Sequence, residues 1–151
     1  MAELRIPEPS EKQCLFMADR HKYIGYGGAR GGGKSWAVRM KAKLLALRYA
    51  GIKLLIVRRT LRELQNNHID PLRQELAGVA KYKAADKRFE FPNGSVLTFG
   101  YCACDGDLGQ YQGAEYDVVF LDEAGQLQKA WIDAINACVR GTNGFPKRTY
   151  Y

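Results

Sequence analysis

The sequence predicts an α/β fold with a mainly parallel sheet flanked by helices. Three observations carry this. Segments of strand and helix character alternate along the chain. Two apolar runs, KLLIVRR at 53–59 and DVVFLDE at 117–123, have strand length without polar alternation, as strands covered on both faces do. A glycine-rich stretch, YGGARGGGKSW at 26–36, separates a strand from a helix.

The 151 residues suit one domain with its own core. With 46% hydrophobic and 26% charged residues, the composition is globular and excludes a disordered chain. No apolar run approaches the roughly 18 residues of a membrane span; the greasiest, LLALRYAGIKLLIV, is broken by Arg48, Gly51 and Lys53. The start, MAELRIPEPSEKQ, has neither the basic nor the apolar part of a signal peptide. Cys102 and Cys104 are close, but C-x-C without a second pair or nearby histidines is a poor zinc signal. Reduced thiols in a cytosolic protein are expected for all four cysteines.

The elements follow in order. LRIPEP at 4–9 is extended, because proline disfavours helix before it. Ser10 caps a short helix, with Gln13 closing a capping box. KYIGY at 22–26 is a short strand running into the glycines. Residues 34–50 are rich in helix formers, with Trp36, Met40, Leu44 and Leu47 as the expected core stripe and Gly51 as the stop. After the strand at 53–59, LRELQNNHIDPLRQELA is helical but interrupted before Pro71. RFEFPNGSVLTFGY alternates on both sides of Asn93-Gly94 and reads as a β-hairpin. A glycine-rich link leads to the strand at 117–123. Residues 128–139 form another helix, and PKRTYY begins a further strand.

Lys and Arg number 23 against 16 Asp and Glu, a net charge of +7, which suits an anionic partner such as nucleotide or nucleic acid. Between residues 39 and 62 the basic residues Arg39, Lys41, Lys43, Arg48, Lys53, Arg58, Arg59 and Arg62 occur without one acid. That is a candidate polyanion-facing element, although part of it belongs to helix and strand that must be buried.

The glycines have a chemical reason. Gly28-Ala29-Arg30-Gly31-Gly32-Gly33-Lys34-Ser35 satisfies G-x-x-x-x-G-K-[ST] in the strand-to-helix setting that this motif requires. Without side chains, the backbone curls round a phosphate with its N–H groups inward, and the following helix adds its positive end. Lys34 is expected to reach the β- and γ-phosphates of ATP, and the Ser35 hydroxyl to bind Mg²⁺. Hydrolysis also needs a metal-positioning acid and a base for water. The end of the strand at 117–123 offers Asp122 for the first and Glu123 for the second. Arg30 is either a stabiliser of the leaving γ-phosphate or a solvated arginine. Gln13 is either a reader of the adenine edge or only the capping residue. Arg140 is a candidate contact to a neighbouring subunit's nucleotide or a surface charge.

These words and their order resemble the large subunit of tailed-phage terminases. They are Gln13 ahead of the first strand, YGGARGGGKSW, LLIVRRT with HI shortly after, FPNGSVLTFG, and YQGAEYDVVFLDEA. The resemblance implies a P-loop NTPase of the catalytic-glutamate type with a β-hairpin insertion, in which an extra strand separates the two catalytic motifs. Carried over by position, Gln13 matches the adenine-contacting glutamine and residues 28–35 the phosphate loop. Arg30 matches its loop arginine, and Asp122 and Glu123 the metal and water-activating acids. The implied work is ATP-driven packaging of double-stranded DNA into a procapsid. The implied partners are the portal, the small terminase subunit and further copies in a ring, in the cytoplasm of an infected or lysogenic bacterial host. Where some members carry a trans-acting arginine, this chain has Gln110-Tyr111-Gln112-Gly113. In the family, a coupling motif and a nuclease domain follow the last strand seen here. The chain is therefore expected to be an N-terminal piece without nuclease activity. Two rival readings are a helicase-like remodelling ATPase and a nucleotide-binding remnant without turnover.

Overall fold

The computed structural model describes residues 8–25, 33–141 and 143–151. Among them, seven strands form one sheet: β1 (Tyr23–Ile24), β2 (Lys53–Arg58), β3 (Lys81–Lys83), β4 (Arg88–Glu90), β5 (Val96–Tyr101), β6 (Val118–Leu121) and β7 (Arg148–Tyr150). Their order across the sheet is β1-β7-β6-β2-β5-β4-β3. The first five are mutually parallel, while β4 and β3 run antiparallel at one edge. The helices are α1 (Glu11–Ala18), α2 (Lys34–Arg48), α3 (Leu61–Leu64), α4 (Asp70–Glu75) and α5 (Lys129–Asn136).

The apolar runs read as doubly covered strands, and the packing bears this out. Leu54 and Ile56 of β2, with Val118 and Phe120 of β6, join the core under α1, α2 and α4. Their neighbours Leu55, Val57, Val119 and Leu121 join the opposite core, under α5. Side chains alternate along a strand, so a strand with a core on each face has no position left for a polar residue. A strand also separates β1 from β6, and it is β7, formed by RTY of the PKRTYY segment.

Local signals explain the rest. The capping box of α1 forms, with Ser10 Oγ accepting from the Gln13 N–H at 3.3 Å and Gln13 Oε1 accepting from the Ser10 N–H at 2.8 Å. The interruption before Pro71 is a π-helical turn, Gln65–Ile69, closed by the Asp70 N–H on the Gln65 carbonyl. Proline has no N–H to give the carbonyl four residues back. That carbonyl, on Asn67, instead accepts from Arg39 Nη1 at 2.6 Å.

The expected hairpin is β4–β5, with Phe89 opposite Leu97. It is no appendage, because β5 also pairs with β2 inside the parallel sheet. Its turn serves α2. Ser95 Oγ donates within 2.8 Å of the Ala46 carbonyl and 2.7 Å of the Tyr49 carbonyl, and Asn93 Nδ2 donates to Ala46 at 2.8 Å. These groups satisfy carbonyls that a helix end leaves open. Gly94 turns the chain at φ +87°, a conformation that L side chains rarely adopt.

One expectation is corrected and a second is met in part. The stripe of α2 is not its buried face: Met40 is buried, but Leu44 and Leu47 are 39% and 43% exposed. The buried positions include Ala37, Val38, Ala42, Leu45 and Ala46, because three alanines let the helix lie close on the sheet. The basic span is not a polyanion-facing surface throughout. Lys41, Lys43 and Arg58 are buried. Lys43 Nζ lies 2.8 Å from Glu75 Oε2 and Arg39 Nε 3.5 Å from Glu75 Oε1, so one acid 32 residues downstream of Lys43 draws two cations inward. Lys41 donates to the Met17 carbonyl. Burial lowers the Lys41 ammonium to about 8, with nearby Arg148 and Arg20 acting in the same direction.

Ser95→Ala removes the turn's hydroxyl from two helix-end carbonyls. Asn93 Nδ2 and the Ile52 N–H still serve those carbonyls, so urea unfolding should show a loss of about 0.5–1.5 kcal/mol, the net worth of a hydrogen bond.

Candidate functional site

Gly33 ends the glycine stretch in the left-handed region, at φ +74°, and is the N-cap of α2 with no side-chain hydrogen bond to the helix start. The first N–H groups of α2 therefore lack a side-chain cap, as suits a helix start that takes an anion. A Cβ at Gly33 would stand 2.3 Å from Gln13 Nε2 and push that amide aside, and the positive φ itself favours glycine. Gln13 Nε2 also donates to the Gly33 carbonyl at 3.2 Å. Gln13 thus holds its capping place and touches the end of the glycine stretch as well. Gly28, Ala29, Arg30, Gly31 and Gly32 lie outside the described residues.

Lys34 and Ser35 form the first turn of α2. The Ser35 hydroxyl donates to Asp122 Oδ2 at 3.1 Å, closing a contact between residues 87 positions apart. Asp122 follows β6, and its N–H bonds the Val57 carbonyl at 3.0 Å, which fixes the backbone beside β2. Glu123 follows in the left-handed region at φ +58° and ψ +47°, uncommon for a residue with a side chain. Lys34, Asp122 and Glu123 line one cavity of about 280 Å³, together with Phe16 of α1 and Tyr150 of β7. The sheet therefore brings together four of the residues that the sequence singles out, drawn from two distant segments.

Two residues absent from the candidate list join them. Asp122 Oδ2 also accepts from Arg58 Nη1 at 3.0 Å and from His68 Nε2 at 2.7 Å. Arg58 ends β2, and His68, with no exposed surface, comes from the π-helical turn. Burial alone would raise the Asp122 carboxyl. The hydrogen bond and charge of His68, then the charge and hydrogen bond of Arg58, more than offset this and hold it at about 2. Burial lowers His68, against the pull of Asp122, and its Nε2 is the donor because an ionised carboxylate can only accept. Arg58 reads in the sequence as part of a basic span and His68 as part of a helix. Two signals pointed to them: LLIVRRT and the HI that follows belong to the words that carry the family resemblance, and Pro71 disturbs the helix three residues after His68.

A hydroxyl and a carboxylate side by side are hard oxygen donors, the kind that Mg²⁺ takes, so this donor set fits the ion that the sequence calls for. Arg140 lies elsewhere. Its N–H bonds the Tyr116 carbonyl before β6 begins, and its guanidinium faces Glu115 at 3.5 Å, at the opposite end of β6 from Asp122. Among the described residues no helix is long and apolar enough to cross a membrane.

The family model described as terminase large subunit, T4likevirus-type, N-terminal, matches residues 26–132. The chain belongs to that terminase family. Solved terminases share its α/β fold. The large terminase of a thermophilic bacteriophage is 19% identical with a TM-score of 0.75, covering 95% of this chain and 39% of that one. The same terminase in complex with ADP is 17% identical with a TM-score of 0.75, covering 94% and 38%. The large terminase ATPase domain of Thermus phage P74-26 is 17% identical with a TM-score of 0.72, covering 95% and 64%. The chain thus spans well under half of the first of these terminases. No curated protein matches it by sequence.

Asp122→Asn removes a carboxylate that is held well below its usual range. Such a group stabilises the fold above its unfolded value near 4, and the contribution fades as pH falls toward about 2. Denaturant titrations should show wild type ahead of the variant by about 2–3 kcal/mol at pH 7. That gap should close across this acid window.

Proposed function

We propose that this chain is the ATP-hydrolysing motor domain of a terminase large subunit that packages double-stranded DNA. The Ser35–Asp122 hydrogen bond carries the reading, because it joins the two halves that phosphoryl transfer needs. Lys34 lines the same cavity as the two acids, where its ammonium meets the β- and γ-phosphates. Ser35 and Asp122 hold Mg²⁺, which neutralises phosphate charge when bound. Glu123 stands next to Asp122, at the same cavity, and its carboxylate takes a proton from the attacking water. Arg30 steadies the charge that develops on the γ-phosphate, and Gln13 reads the base. The related large terminase forms complexes with ADP and with ATP-γ-S, which supports a nucleotide as the ligand here.

In this reading residues 1–151 are an ATPase domain that works within a longer protein. Its partners are duplex DNA, the portal, the small terminase subunit and further copies in a ring. Its place is the cytoplasm of an infected or lysogenic bacterial host. The buried members of the basic span leave the duplex to other surfaces.

Phosphate release, measured with and without duplex DNA, tests the proposal. Lys34→Ala should weaken nucleotide binding by about 10–100-fold, since a charge-assisted contact is lost; unchanged affinity removes Lys34 from the site. Glu123→Gln should bind ATP as wild type does but turn over about 10²–10⁴-fold more slowly. Normal turnover in that variant assigns the base elsewhere. Binding without any phosphate release by wild type leaves a nucleotide-binding domain only.

A further inference from the structure

We propose that His68 and Arg58 are positioning residues that pin one oxygen of Asp122 and present the other to the metal. This rests on the nucleotide reading above. The two oxygens of Asp122 are unequal. Oδ2 accepts three hydrogen bonds, from Ser35, Arg58 and His68. Oδ1 accepts none among the described residues. A carboxylate held through one oxygen by donors from β2 and from the π-helical turn cannot rotate freely. Its second oxygen points where a ligand is wanted before any ligand arrives.

The arrangement is expensive for packing alone. His68 is fully enclosed, yet its Nδ1 has no hydrogen-bond partner, and the buried Nε of Arg58 has none either. An unpaired buried nitrogen is costly, and an apolar residue of similar size avoids that cost. Each side chain therefore leaves one nitrogen unpaired while another reaches the same oxygen. The backbone is bent to the same end. His68 sits in the π-helical turn, and such single turns recur at functional sites. Glu63 Oε1, 3.8 Å from Arg58 Nη2, holds the guanidinium from its other side.

Groups that orient a metal ligand change metal affinity about 10–100-fold when removed. The test is a titration of the whole chain with a fluorescent ADP analogue, first in EDTA and then at rising Mg²⁺. His68→Ala and Arg58→Met should bind the analogue in EDTA within about twofold of wild type, while the Mg²⁺ midpoint for tightening rises about 10–100-fold. His68→Gln keeps an N–H donor and should recover most of the loss. An unshifted midpoint in His68→Ala overturns the proposal. If that variant is unfolded at the assay temperature, His68→Gln and His68→Leu decide instead. Both fill the space and only glutamine donates, so a shared midpoint overturns the proposal and a lower one for glutamine supports it. A wild-type chain that binds no analogue in either condition overturns the nucleotide reading and this one together. Normal binding with an unshifted midpoint overturns this one alone.

Discussion

A buried negative charge at the end of β6 organises the middle of this molecule. Asp122 is nearly without solvent, and an isolated carboxylate in such a place would take up a proton instead of staying charged. It stays ionised because a guanidinium, an imidazole and a hydroxyl converge on it. Each donor has to be delivered by a different element. β2 brings Arg58 from beside β6, the start of α2 brings Ser35, and the π-helical turn brings His68. The positions of three elements around the sheet are thus tied to one oxygen atom.

The features legible in the sequence are those fixed by near neighbours or by complete enclosure. Ser10 and Gln13 lie three residues apart, so their reciprocal capping follows from spacing. The strands β2 and β6 are apolar at every step because both their faces are covered. The glycine stretch announced itself through its setting, a strand before it and Lys34-Ser35 opening a helix. The pairing of Ser35 with Asp122 was expected for a chemical reason and is met by the sheet order.

The features that escaped are those decided by partners far along the chain. Lys43 reads as a solvated cation until Glu75, 32 residues on, is folded against it. Leu44 and Leu47 have helical spacing, but the neighbouring rows carry Ala37, Ala42 and Ala46, and small residues win the closer approach to a sheet. The spacing of His68 gives no sign of its contact with Asp122, since the chain between them spans α4 and four strands. Gln13 shows a subtler limit: two roles were weighed as alternatives, and its amide is large enough to cap α1 through oxygen and meet Gly33 through nitrogen.

The helix α2 has an anchor at each end. Its first turn is tied to β6 through Ser35, and its last carbonyls are tied to the β4–β5 turn through Ser95 and Asn93. Between them lie fifteen residues, a rod of about 22 Å. A helix resists stretching and compression along its axis, so it behaves as a strut fastened at both joints. A displacement of the glycine end cannot be absorbed locally unless a joint lets go. It would bear on the β4–β5 turn, where the parallel part of the sheet meets the antiparallel part.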